Sequence, residues 1–265
     1  MKKIRFGMPV LLECDGMRES AALCRSLGLD FVELNMGLPA YQPDRLTPTE
    51  LQETAEKYGI FWTIHLDGYL NPFDFNPYIA EAARKTVTET LKIAGSCSIP
   101  LLNMHLSKGD YFTLPDRKVN LYDRYREEYL SLVLRFREEC ERTSDGSDVK
   151  ILIENCSGYT EFQKAALELL LESPLFGLTL DAGHSYTAGH IDEPLIFAHR
   201  NRLHHIHFHD ADPEHGNHLA LGTGDVDKLQ ILTLAHDNDC TVVLETKTAA
   251  ALAESVQWLK QMNHI

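Results

Sequence analysis

The sequence has no C-x-x-C pair, no glycine-rich loop near its start and no apolar run long enough to span a bilayer, and each absence removes a class of protein. Its six cysteines, Cys14, Cys24, Cys97, Cys140, Cys156 and Cys240, are too scattered for a disulfide framework or a cysteine-held zinc. Reduced thiols fit a reducing, cytoplasmic compartment. The opening MKKIRFGMPVLLECDG breaks its apolar run at Arg5 and Pro9 and offers no small-residue cleavage site, so it reads as a mature start rather than a leader. No stretch approaches the roughly 18 apolar residues of a membrane span. Positive charge is short: 25 Lys and Arg stand against 39 Asp and Glu, a formal −14, which argues against the basic face of a nucleic-acid binder. With 44% hydrophobic and 24% charged residues the chain is neither disordered nor collagen-like.

What the chain does have is alternation. Eight short runs rich in apolar, β-branched and aromatic residues recur: IRFGMPV from Ile4, DFVELNM from Asp30, IFWTIHL from Ile60, PLLNMHL from Pro100, VKILIEN from Val149, FGLTLDA from Phe176, LHHIHFHD from Leu203 and TVVLE from Thr241. Each has the length of a strand, and each is followed by a stretch whose apolar positions recur at helical spacing. The segment 46–59 predicts a helix with Thr47 as N-cap, Pro48 in its first turn and Gly59 at its end. The longest predicted helix covers 120–143 and closes in the turn-rich SDGSD. Eight units of about 33 residues match an α/β fold, a single (β/α)8 TIM barrel over residues 1–265 as one domain. The competing doubly wound sheet would carry a phosphate loop after an early strand; the close glycine pair Gly222 and Gly224 comes late and lacks a third member.

A parallel barrel gathers the C-terminal ends of its strands at one rim. Here those ends carry His65, His105, Glu154, Asp181 with His184 three residues on, His207 and His209, and Glu245. Singly, a histidine at a strand end is more often a hydrogen-bonded rim residue, and an aspartate an N-cap. Jointly, Glu154, Asp181 and Glu245 would repel one another unless a cation joined them. With His207 they form an oxygen-rich set with one imidazole, suited to Mn²⁺, Mg²⁺ or Co²⁺ and tolerant of Zn²⁺; His65, His105 and His184 would add nitrogen for a further zinc bridged by Glu154. In the seventh run, period-two alternation puts His205, His207 and His209 on one face. His207 is expected to ligate, His209 to lie nearer the opening as a support behind the ligands or a substrate contact, and His205 to sit deeper in the core; Asp210 reads equally as a loop cap or a catalytic group. The loops 66–77 and 107–116 are expected to cap the pocket, with Tyr69, Phe73, Phe75, Tyr78, Tyr111, Phe112, Tyr159 and Tyr186 as candidates for an apolar wall and Trp62, mid-strand, expected in the core. Lys108 and Lys247 are placed to meet a substrate anion.

The pieces IENCSG, LTLDAGHSYTAGH, HIHFHD, NHLALGTG and VVLETK together resemble the xylose isomerase-like barrel superfamily, which holds sugar isomerases and epimerases and the endonuclease IV enzymes of AP endonuclease family 2. The sugar-handling branch implies one divalent ion on Glu154, Asp181, His207 and Glu245, with the two glutamates doubling as the acid/base pair and His184 orienting a substrate hydroxyl. The endonuclease branch implies three zinc ions: His65 and His105 match its first site with Glu154, and His184 and His218 its third. That third site departs from the pattern, since Gly216 stands where an aspartate is expected, with His215 and Asn217 as candidate substitutes. The DNA-contacting loops depart too, with the apolar NMGLPAY after the second run and LLECDGM after the first, although Tyr69 resembles the branch's inserted tyrosine. The expectation is therefore a metal-dependent isomerase or epimerase of a small sugar or polyol, without nucleic-acid or membrane partners and with a capacity to pair with itself. A zinc phosphodiesterase stands second, and a barrel that holds metal and sugar without turnover third.

Overall fold

The computed structural model describes residues 3–144 and 146–264, so Met1, Lys2, the Asp145 of the SDGSD turn and Ile265 lie outside the described residues. Eight strands form a closed parallel barrel: β1 Arg5–Pro9, β2 Phe31–Asn35, β3 Phe61–His65, β4 Leu101–His105, β5 Lys150–Glu154, β6 Phe176–Asp181, β7 Leu203–Phe208 and β8 Thr241–Leu244. Each pairs with the next in chain order, and β8 returns to β1 through Arg5↔Thr241. All eight strands fall within the runs read from the sequence. Alternate side chains turn outward to the helices, as Ile151, Ile153, Ile206 and Phe208 do in the apolar core, while their neighbours turn into the barrel.

Register decides which residues meet at the rim. His105 pairs with Glu154, Asn35 with His65, and Asp181 with His207, the last across a ladder that shifts between Leu178 and Thr179. The shift leaves His204 as an extra residue on β7, a bulge.

The helix Pro48–Tyr58 begins and ends as its sequence predicts, with Thr47 at the N-cap position and Gly59 left-handed at φ 64°, although the Thr47 hydroxyl makes no cap bond. The long helix expected over 120–143 is broken. A single turn, Leu121–Arg124, ends at Tyr125, where φ −116° and ψ 50° leave helical geometry, and Arg126–Thr143 continues beyond it. Upstream, residues 118–120 form a two-stranded ribbon with 111–113, and the Asn120 side chain caps Asp123 N, which fixes the start of the turn at Leu121. That ribbon also replaces the plain loop expected after β4. A second ribbon pairs 210–212 with 216–219. All six cysteines are free, and among the described residues no helix is long and apolar enough to cross a membrane.

Candidate metal centre

Four side chains from four strand ends meet at the rim. Glu154, Asp181, His207 and Glu245 each offer a ligand atom, and these atoms all lie within 4.8 Å of one another. His207 Nδ1 stands 2.9 Å from Glu245 Oε2, 3.4 Å from Glu154 Oε1 and 3.9 Å from Asp181 Oδ2. The backbone fixes each carrier. Glu154 and Asp181 close β5 and β6, and Glu245 follows β8 with its N–H donated to the Phe208 carbonyl. Asp181 is also an N-cap: Oδ1 accepts from His184 N at 2.7 Å, and Asn155 grips its backbone N–H and C=O. Capping and membership of the cluster are thus compatible, because Oδ2 remains for the cluster.

Burial pushes the carboxyls of Glu154 and Glu245 upward, but the His207 charge overrides it and holds both well below the usual range. Burial likewise opposes a charged His207, and Glu154, Glu33 and Glu245 override it. One imidazolium cannot balance these surrounding carboxylates. Both ring nitrogens of His207, and Glu245 Oε2, are buried and find no hydrogen-bond partner of adequate geometry, despite the 2.9 Å between Nδ1 and Oε2. Mutually repelling, unsatisfied donor atoms of this kind fit a divalent cation, and the oxygen-rich set suits Mn²⁺, Mg²⁺, Co²⁺ or Zn²⁺.

Histidines flank this set on two sides. His65 Nε2 and His105 Nε2 lie 3.3 Å and 3.2 Å from Glu154 Oε2. His65 Nδ1 lies 2.6 Å from the Leu66 carbonyl, which places its proton there and turns the Nε2 lone pair toward a carboxylate oxygen. On the other side His184, His209 and His218 bring ligand atoms within 4.8 Å of one another. His209 does not lie at the opening as expected: it is fully buried. Its Nδ1 accepts the His218 N–H at 2.8 Å and its Nε2 lies 3.1 Å from Asp181 Oδ1, so it supports a member of the cluster from beneath. The short helix Ala182–Thr187 covers it, and Gly183 makes room, since a Cβ there would fall 1.9 Å from His209 Cε1. Of the substitutes considered near Gly216, His215 turns to Asp212 on the surface, whereas Asn217 Nδ2 reaches His184 Nδ1 at 3.2 Å.

The cavity above the cluster has a volume of about 240 Å³, and Glu154 and Glu245 line it together with His65, His105, His184 and Lys247. Asp181 and His207 lie below its surface. Trp62 is in the core, as its mid-strand place suggests, but the apolar wall expected from the other aromatics is not there: Phe73 is a core residue too, and Tyr69, Tyr78, Tyr111 and Phe112 stand in solvent. Gly68 is the one lining residue from the loop 66–77, and none comes from 107–116. Lys108 turns to the Ser157 hydroxyl, Lys247 to Glu245 Oε1 at 3.4 Å. Asp210 is a structural anchor, accepting from the Gly222 and Val226 N–H groups and paired with Lys228 at 2.8 Å.

The strand-end reading missed Glu33. It lies within β2, two residues before the strand end, with Oε2 3.1 Å from His207 Nε2 and Oε1 3.3 Å from His205 Nε2. Against burial, His207 and His205 hold its carboxyl well below the usual range. Its signal was a charged residue inside the apolar run DFVELNM. Asn103, at the same depth on β4, is likewise missed; its amide donates to Glu154 Oε2.

A family model described as a xylose isomerase-like TIM barrel matches residues 21–262. The uncharacterized protein MJ1614 of Methanocaldococcus jannaschii is 27% identical over 180 residues, 66% of this chain and 65% of that protein, just under two thirds of its length. Among solved structures, a D-tagatose 3-epimerase-like protein superposes with a TM-score of 0.78 at 20% identity, covering 97% of this chain and 96% of that one. D-allulose 3-epimerase from Methylomonas sp., solved in complex with D-allulose, gives 0.71 at 15% identity, with 98% of both chains covered. The IOLI protein with a bound zinc atom gives 0.73 at 14%, again with 98% of both covered. At these identities the likeness to solved structures establishes the fold.

Proposed function

The chain belongs to the xylose isomerase-like TIM barrel family, and from that premise we propose that it is a divalent-metal-dependent isomerase or epimerase of a small sugar or polyol. The observation that carries the reading is the division of the four-residue set. Glu154 and Glu245 line the cavity while Asp181 and His207 lie beneath it, so two of the four candidate ligands can also touch a substrate. The likeness in fold to solved sugar epimerases supports the same class.

Glu154, Asp181, His207 and Glu245 would hold the cation, which when bound polarises a carbonyl and the neighbouring hydroxyl and so acidifies the C–H between them. The proton work falls to the chain itself. One glutamate carboxylate takes the proton from that carbon, and the other, once it has taken up a proton from solvent, delivers it to the opposite face in epimerisation or to the adjacent carbon in isomerisation. The Asn103 amide holds Glu154 in place, with the His105 imidazole 3.2 Å away. His184, His218 and Lys247 surround the mouth, where substrate hydroxyls would be bound. A cavity of about 240 Å³ suits a ligand of sugar size rather than a polymer. The test is incubation of the metal-loaded protein with ketoses and polyols in deuterated water, with carbon-bound deuterium read by NMR; no incorporation into any of them removes the reading.

One observation favours a second reading. The lone pair of His65 Nε2 faces Glu154 Oε2 at 3.3 Å, and a cation between them would relieve the contact. That would place a second zinc beside the first, as in a phosphodiesterase resembling endonuclease IV. Gly216, the apolar loop after β2 and the −14 charge weigh for sugar chemistry. Metal stoichiometry separates the two: one ion per chain supports the isomerase, and two or more zinc ions direct the assay to abasic-site DNA.

A further inference from the structure

Beneath the rim the barrel interior carries a second, polar tier of side chains, of which Glu33 also reaches the floor of the cavity. Glu33, Thr63, Asn103, Thr179 and His205 are each no more than 2% exposed. Barrel interiors are ordinarily filled by branched apolar residues, so an ionised carboxylate at this depth calls for a cause. Glu33 Oε1 accepts from the Thr63 hydroxyl at 3.2 Å and lies 3.3 Å from His205 Nε2, and Oε2 lies 3.1 Å from His207 Nε2. Among the described residues no lysine or arginine is paired with it. Glu33 comes from β2 and both histidines from β7, strands separated in the ring by β1 and β8, so the carboxylate reaches across the interior to them.

His207 consequently has carboxylate on both edges. Nδ1 faces Glu245, Glu154 and Asp181, whereas Nε2 faces Glu33. A neutral imidazole has one proton and one lone pair, and a ring that ligates through one nitrogen keeps its proton on the other, where a carboxylate commonly receives it. Resting on the metal reading above, we propose that Glu33 is a positioning residue that keeps the His207 proton on Nε2 and thereby commits the Nδ1 lone pair to the cation. His205 anchors the carboxylate. Its Nδ1 lies 2.6 Å from the Thr241 hydroxyl and its Nε2 3.3 Å from Glu33 Oε1, so the ring is held between the two.

The test uses the full chain with Zn²⁺ as the probe. Zinc affinity is measured by competition with a chromophoric chelator in the wild type, Glu33→Leu and Glu33→Gln, and the His207 tautomer is read from imidazole nitrogen shifts of the zinc-loaded proteins. The wild type is expected to bind with the His207 proton on Nε2. Glu33→Leu should bind about 10- to 100-fold more weakly, and Glu33→Gln, which keeps an acceptor and loses the charge, should fall between. A Leu variant within about twofold of the wild type overturns the role, and if that variant does not fold, the same limit applied to Gln decides. A change confined to the melting temperature of the metal-free protein, with affinity and tautomer intact, also overturns it. Failure of the wild type to bind zinc instead removes the metal reading on which the proposal rests.

Discussion

Asp181 and His207 face each other across the β6–β7 seam because His204 is an extra residue on β7. The ladder steps from Leu178↔Leu203 to Thr179↔His205 and reaches Asp181↔His207. An unbroken register would set Asp181 against Ile206, whose side chain belongs to the outer core, and would leave the candidate ligand off the site. Gly177 admits the bulge, since a Cβ there would fall 2.8 Å from the Arg202 carbonyl oxygen and 2.7 Å from Leu152 Cδ2. Gly177→Ala is therefore expected to destabilise the fold by about 1–3 kcal/mol, as measured by urea denaturation; an unchanged midpoint would show that the bulge has room to spare.

The bulged histidine carries a pH signature. Burial, then the nearby charges of Lys150 and Arg202, hold His204 below its ordinary value. The unfolded chain therefore takes up a proton near pH ~6.5 before the folded one does, so stability present above that pH declines as pH falls through the folded value. Denaturation at pH 7 and pH 5 should show a smaller acid loss for His204→Gln than for the wild type. Equal losses would mean that His204 protonates alike in both states.

Glu245→Gln should retain the fold by circular dichroism and lose metal-dependent solvent exchange by about 10²- to 10⁴-fold, the usual worth of a positioned acid or base. Exchange at the wild-type rate in that variant would dismiss Glu245 as a proton carrier.

Gly183→Ala tests the support under Asp181. The new methyl must displace His209, which lies 3.1 Å from Asp181 Oδ1, and the expected result is metal binding weakened by about tenfold or more. Chelator competition measures it, and unaltered affinity would assign His209 to packing alone.

Removing the metal should cost stability as well as activity, because Glu154, Asp181 and Glu245 then face one another around a single imidazole. At free metal of about 100 times Kd the linkage amounts to about 2.7 kcal/mol. Melting with and without chelator reads this directly, and coincident curves would mean that the cluster does not bind the ion tightly in the folded state.

Strands and rim residues were legible in the sequence because a parallel barrel converts chain order into spatial order: a histidine or carboxylate at a strand end needs only that topology to reach its partners. Glu33 and Asn103 were not, since they sit two residues lower, where the same reading expects apolar filler. The burial of His209 depends on Gly183 and a six-residue helix whose path over the rim has no periodic signal. The interruption at Tyr125 was hidden because the helical pattern of the sequence is locally unbroken there.

The β3–β4 ladder joins through only Ile64↔Leu102 and His65↔Asn103, whereas β4–β5 is laced by five pairs and β6–β7 by four. A cask parts first between its loosest staves. His65 stands on one side of that joint and His105 on the other, while Glu154, Asp181 and His207 share well-laced neighbours. Thermal breathing of the barrel will therefore alter the gap between the two rim histidines long before it disturbs the other three, giving the mouth above Glu154 a built-in give that its floor does not have.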